Sequence, residues 1–123
     1  LSCLHASKCF AQLNLPVQEL YDVEALFPLW GKTSTEVFKE LMETGHKALV
    51  TSIMREKLDP TFLNREYDEN YVNRLPEGID PAGENGEFHT FLIYSPHFKM
   101  RIPFSKAIAS EEGPYLVTQV KEP

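Results

Sequence analysis

Several things are scarce in this chain, and each scarcity removes a class of protein. Cysteine occurs twice, at Cys3 and Cys9, six residues apart near one end. That is neither the number nor the spacing of a disulfide framework, and a reduced, cytoplasmic setting is expected. Basic residues are outnumbered, twelve Lys and Arg against eighteen Asp and Glu, for a formal net charge of −6. So acidic a chain has little long-range attraction for phosphate backbones or anionic membranes, so neither nucleic acid nor membrane is expected as a partner. Long apolar runs are missing as well: stretches such as Ala48-Leu49-Val50 fall far short of the ~20 residues that span a bilayer. The N-terminus shows no charged region followed by a continuous apolar stretch, so no signal peptide is expected. Its first residue is Leu rather than Met, from which an earlier natural start is expected.

Glycine is missing where a phosphate loop would need it. Gly31-Lys32-Thr33 copies the end of a P-loop just before a helix, but the pattern requires a second glycine five residues earlier, where Leu26 stands. Without it the backbone cannot wrap a phosphate in that manner, and a loop glycine followed by a helix cap is the better reading. A Gly-x-Ser-x-Gly elbow is likewise missing, and neither cysteine has a base nearby in sequence, so nucleophilic catalysis has no local signature. The four histidines, His5, His46, His89 and His97, never recur at the spacing of helical metal ligands. Glu84, Glu87 and His89 are chemically suitable for a divalent ion, yet a solvated acidic loop beside a strand histidine accounts for them better. No metal is expected.

What is present is an ordinary globular composition, 42% hydrophobic and 24% charged, in 123 residues. One core is expected, burying roughly two-thirds of the surface that the unfolded chain exposes. Residues 1–22 are the least defined; Leu1, Leu4, Lys8 and Ala11 hint at a helix that Asn14 and Pro16 would end. Ala25 to Trp30 suits a strand end running into a loop, broken by Pro28. Thr33 with Glu36 makes a capping box ahead of the stripe Val37, Phe38, Leu41 and Met42, and Gly45 supplies the stop. Lys47 to Ile53 is the continuous apolar kind of strand found in buried parallel sheets, so strand, helix and strand predict a βαβ rhythm. Asp59-Pro60 and Asp68 cap short helices, with Arg65-Glu-Tyr-Asp-Glu69 between them as an exposed face. Glu77 to Gly86 holds three glycines and one proline and reads as a loop, running into a strand from Glu87 to Tyr94. Phe98 to Pro103 and Tyr115 to Val120 also suit strands, with a turn at Glu111-Glu112-Gly113-Pro114.

The unusual stretch is Gly83-Glu-Asn-Gly-Glu-Phe-His-Thr90. Its glycines allow close backbone approach, its carboxylates can accept hydrogen bonds or protons, and its strand fixes the polar side chains that follow. Loops at strand ends are where open α/β sheets bind ligands.

Four segments in order resemble a known family: Glu24-Ala-Leu-Phe-Pro-Leu-Trp-Gly31, Gly45-His-Lys-Ala-Leu-Val50, Leu58-Asp-Pro-Thr-Phe-Leu-Asn-Arg65, and Asp80 to Thr90. Together they are similar to the diphthine-ammonia ligases and their relatives among the N-type ATP pyrophosphatases, over about Val23 to Ile102. Leu75-Pro-Glu-Gly-Ile-Asp-Pro81 and Glu84 to Thr90 are closer to the bacterial branch. The resemblance implies a HUP-like α/β fold with a mostly parallel sheet, of which residues 23–123 form the C-terminal, substrate-side part. It implies an ATP-dependent ligase: ATP with Mg2+ activates a carboxylate as an acyl-adenylate, and ammonia displaces AMP. The acceptor would be a small-molecule or protein-bound carboxylate, beside an ammonia donor, and a homo-oligomer is allowed. Carried onto this sequence, Glu84 and Glu87 become the candidate catalytic carboxylates. Trp30, Gly31, Arg65, Gly83, Asn85, Gly86, His89 and Thr90 become candidate substrate-binding residues, with Arg65 clamping an anion. Two departures stand out: the family's Ser-Gly-Gly-Lys-Asp-Ser pyrophosphate loop is not in this sequence, and Asn64 stands where a glycine is common. The alternative is a ligand-binding or interaction module without nucleotide chemistry.

Overall fold

A computed structural model describes residues 21–22, 24, 26–106 and 109–123. The helix suggested over Leu1 to Ala11 lies outside the described residues. From Leu26 to Gly31 the chain makes turns rather than the expected strand end. Helix α1 (Ser34–Glu43) follows. Its capping box is complete: Thr33 Oγ1 accepts from Glu36 N–H at 3.2 Å and Glu36 Oε2 accepts from Thr33 N–H at 2.7 Å. Phe38 is its buried anchor, and Gly45 ends it in the left-handed region at φ 76°.

Strand β1 (Lys47–Met54) is the centre of the fold. A four-stranded sheet is ordered β2, β1, β5, β4, with β2 (Phe88–Tyr94), β4 (Ser110–Glu112) and β5 (Tyr115–Val117). Every strand pairing in it is antiparallel. The expected mostly parallel, HUP-like sheet is therefore not what the described strands form, although the class is mixed α/β. An apolar run reports cover on both faces, not strand direction, and β1 has that cover with antiparallel neighbours. Its register slips between Val50 and Ser52. That irregularity shifts the alternation by one residue, so Ala48, Val50 and Ile53 all join one core.

The chain returns over β1 after a 3-10 turn (Pro60–Phe62). Asn64 N–H donates to Val50 O, Val50 N–H to Arg65 O and Tyr67 N–H to Ala48 O. Asn64 sits at φ 60°, which explains why glycine suits that place. Tyr67 is buried at 6% exposure, so the Arg65–Glu69 stretch is not simply an exposed face. Helix α2 (Glu69–Asn73), capped by Asp68, then places Tyr71 in the same core. Phe98 to Pro103 forms no strand; its proline and turn leave one ladder-like bond, Ile102 N–H to Ile93 O. Short strands β3 (Ser105–Lys106) and β6 (Val120–Lys121) pair separately.

Candidate functional site

The loop from Asp80 to Glu87 is held by a carboxylate at each end. Asp80 Oδ1 accepts from Ala82 N–H at 2.8 Å and, at 3.4 Å, from Glu84 N–H. Its Oδ2 accepts from Ser34 Oγ at 2.8 Å, tying the loop to the start of α1. From the other end, Glu87 accepts from Asp80 N–H at 3.3 Å, Asn85 N–H at 3.0 Å and Asn85 Nδ2 at 3.2 Å. Gly83 N–H bonds to Asp80 O and Gly86 N–H to Gly83 O. Glu87 is only 1% exposed. Burial alone would raise its carboxyl, but its own N–H, the Asn85 side chain and the Asp80 and Asn85 amides together hold it below the usual glutamate range.

Two consequences follow from these bonds. Glu87 is an anchor whose oxygens are spent on the loop. The loop amides are spent too, so the segment is not a nest for an anion, despite its glycines. Gly83 is required for shape: it lies at φ 66°, and a Cβ there would meet Phe88 O at 2.8 Å.

Under the loop lies Tyr67, whose hydroxyl donates to Pro81 O at 2.5 Å. Burial, reinforced by the carboxylates of Asp80 and Glu84, pushes this phenol well above the ordinary tyrosine range, so it remains a neutral donor. Its ring meets Phe38, Tyr71 and Phe88 at centroid distances of 5.2, 5.9 and 5.7 Å. This aromatic bed fixes the loop's height above the sheet.

Between the loop and α1 opens a cleft of about 460 Å³. Val37, Phe38 and Leu41 make its apolar wall, and Gly83, Glu84, Gly86, His89 and Thr90 its polar one. Five expected site residues therefore meet in one place. Asn85 and Glu87 belong to the loop but do not line the cleft. Trp30, half-exposed with its ring edge-on to Phe27 at 6.0 Å, and Gly31 do not line it, although Leu29 does. Arg65 is elsewhere: its Nε donates to Thr61 O at 3.1 Å, and it borders a separate cavity of about 160 Å³ with Asp68 and Arg74. Among the described residues no cluster of His, Cys, Asp and Glu is placed to hold a metal, and no helix is long and apolar enough to cross a membrane.

Sequence reasoning missed Tyr67, Asp80 and Ser34. Asp80 had a usable signal, an Asx residue two before an amide in a Pro-Ala-Gly turn. Ser34 and Tyr67 are joined to the loop only by tertiary packing.

A mixed α/β module with a carboxylate-tied loop over a half-polar cleft is the class that fold and site define. Residues 33–119 match the family described as the diphthamide synthase C-terminal domain, and the chain belongs to that family. Human and bovine diphthine–ammonia ligases are each 28% identical to it over 86 residues, 66% of this chain. That stretch is 32% of each relative, so the chain spans about a third of their length.

Proposed function

We propose that this chain is the acceptor-side part of an ATP-dependent, amide-forming ligase, receiving a small-molecule or protein-bound carboxylate in the Asp80–Thr90 cleft. The observation carrying the reading is the convergence of Glu84, His89 and Thr90 on one cleft opposite an apolar wall. Support comes from family membership and from the named activity of the two relatives. In this reading Glu84 is the carboxylate that accepts a proton from incoming ammonia. His89 and Thr90 orient the acceptor, and Glu87 is a positioning residue that keeps the loop in shape.

Neither the Asp80–Glu87 loop nor Gly31-Lys32-Thr33 fits a triphosphate. The loop amides are internally bonded, Lys32 is engaged by Glu40, and Thr33 caps α1. ATP with Mg2+, and the HUP-type parallel sheet that would hold it, are assigned to the portion of a longer protein corresponding to the rest of the relatives.

The test uses a full-length protein carrying a Ser-Gly-Gly-Lys-Asp-Ser half upstream, with ammonia-dependent AMP release as readout. E84Q is expected to reduce turnover on the order of a hundredfold while leaving ATP binding intact. Unchanged turnover would sink the assignment of Glu84, and failure of the full-length protein to bind ATP would favour a non-catalytic module.

A further inference from the structure

The β4–β5 hairpin is distant from the Asp80–Glu87 loop in sequence and adjacent to it in the fold. Successive amides at the end of β1 hold the two side by side: Met54 N–H donates to Glu87 O at 2.8 Å and Arg55 N–H to Pro114 O at 3.0 Å. The Arg55 side chain fastens the hairpin further. Its Nη2 donates to Gly113 O at 3.0 Å, and its Nη1 pairs with Glu111 at 2.8 Å.

Register then decides which side chains share a face. His89 lies opposite Ser52, and Tyr115 lies opposite Met54 on the other side of β1. Residues two apart on a strand point the same way, so His89 and Tyr115 stand on one face with β1 between them. With only a serine beside His89 on β1, the two rings meet, their centroids 6.1 Å apart and their planes inclined by 52°. The phenol also reaches the loop: a Cβ at Gly86 would lie 3.4 Å from the Tyr115 hydroxyl. Among the described residues no hydrogen bond holds the His89 imidazole, and Tyr115 is its one ring contact. Tyr115 does not line the cleft, whereas His89 and Gly86 do.

We propose that Tyr115 is a positioning residue for the acceptor cleft, its ring setting the direction in which the His89 imidazole faces the acceptor. An exposed imidazole without a hydrogen bond keeps its rotamer freedom, and a ring packed beside it removes part of that freedom before the acceptor arrives. The hairpin, fixed through Arg55, thereby acts on the cleft without entering it. The assignment rests on the reading of His89 as a group that orients the acceptor.

Nuclear magnetic resonance on the chain tests the contact without any acceptor. In wild type, the ring protons of His89 and Tyr115 should show cross-relaxation. Y115L should move the His89 ring resonances and Y115F should keep them in place, with the Ala82 and Gly83 amides unmoved in both. In a full-length protein, ammonia-dependent AMP release should fall on the order of tenfold in Y115L and stay near wild type in Y115F. H89A/Y115L should lose no more than H89A alone, because Tyr115 acts through His89. Absence of cross-relaxation between the two rings in wild type would overturn the proposal. So would His89 resonances indifferent to Y115L, a Y115F that moves them as far as Y115L does, loop amides that move with them, or losses that add in H89A/Y115L. AMP release missing from the wild-type full-length protein would instead defeat the ligase reading, and the pairing of His89 with Tyr115 would stand or fall on the ring resonances.

Discussion

Replacing Glu87 by glutamine should cost stability, and the size and pH dependence of the loss follow from its bonds. The carboxylate accepts from Asp80 N–H, Asn85 N–H and Asn85 Nδ2, and a hydrogen bond to a charged group is worth about 1.5–3 kcal/mol. Asn85 is exposed, so its donors recover water. The Asp80 amide is partly buried and recovers less. Glutamine also turns an NH2 toward donors. A net loss of about 2–3 kcal/mol is expected near pH 7. The sign with pH is fixed by the lowered carboxyl of the folded state. The unfolded chain takes up its proton first, at about pH 4.3. The wild-type advantage is therefore complete above that pH and disappears as pH falls through the folded value. Urea unfolding of wild type and E87Q between pH 8 and 3 measures the gap directly. A gap below about 0.5 kcal/mol at pH 7, or one that stays constant down to pH 3, would refute the anchor role.

Gly83→Ala combines a left-handed backbone with a 2.8 Å approach to Phe88 O; a loss of about 2 kcal/mol or more is expected by denaturant melt, with β2 amides shifting by NMR. Asn64→Gly should stabilise by about 0.5–1 kcal/mol, because Asn64 sits at φ 60° with its buried Oδ1 unpaired; a destabilised N64G would show that strain is not what the position carries. Tyr67→Phe removes the bond to Pro81 O and should cost about 1 kcal/mol. In a spectrophotometric titration, the absorbance change lost in Y67F should lie above the ordinary tyrosine range.

How much of this was legible depended on whether the controlling forces were local. The α1 capping box, the β1 and β2 strands and the Asp59 and Asp68 caps came from neighbours within a few residues, and each is in place. Strand direction is not local. Lys47 to Ile53 reads as a parallel strand because its apolar residues run together rather than alternating, but the partners that cover it are antiparallel. The cleft residues Gly83, Glu84, Gly86, His89 and Thr90 were found because they are contiguous in sequence. Arg65 was grouped with them by motif alone, and the return of the chain over β1 carries it to a different cavity. Glu87 stands out in the sequence as a candidate catalytic carboxylate, and its place as the loop's anchor is not legible there, because the donors that occupy it depend on the loop's closed shape.

That closed shape also decides which charges the cleft can receive. With Asp80 and Glu87 fixing the loop from both ends, the polar wall is preorganised before any ligand arrives. The same bonds remove the amide donors from use. Among the described lining residues there is no Lys or Arg, and Glu84 is a carboxylate. A polyanion entering here would find charge repulsion and no cradle, so its neutralising groups must come from outside these residues. Calorimetric titration of this chain with Mg-ATP is accordingly expected to give no saturable heat. Saturable binding accompanied by shifts of the Gly83, Glu84 and Gly86 amides would mean that the loop opens to expose its donors, and would refute the proposed division between an acceptor cleft here and a nucleotide site elsewhere.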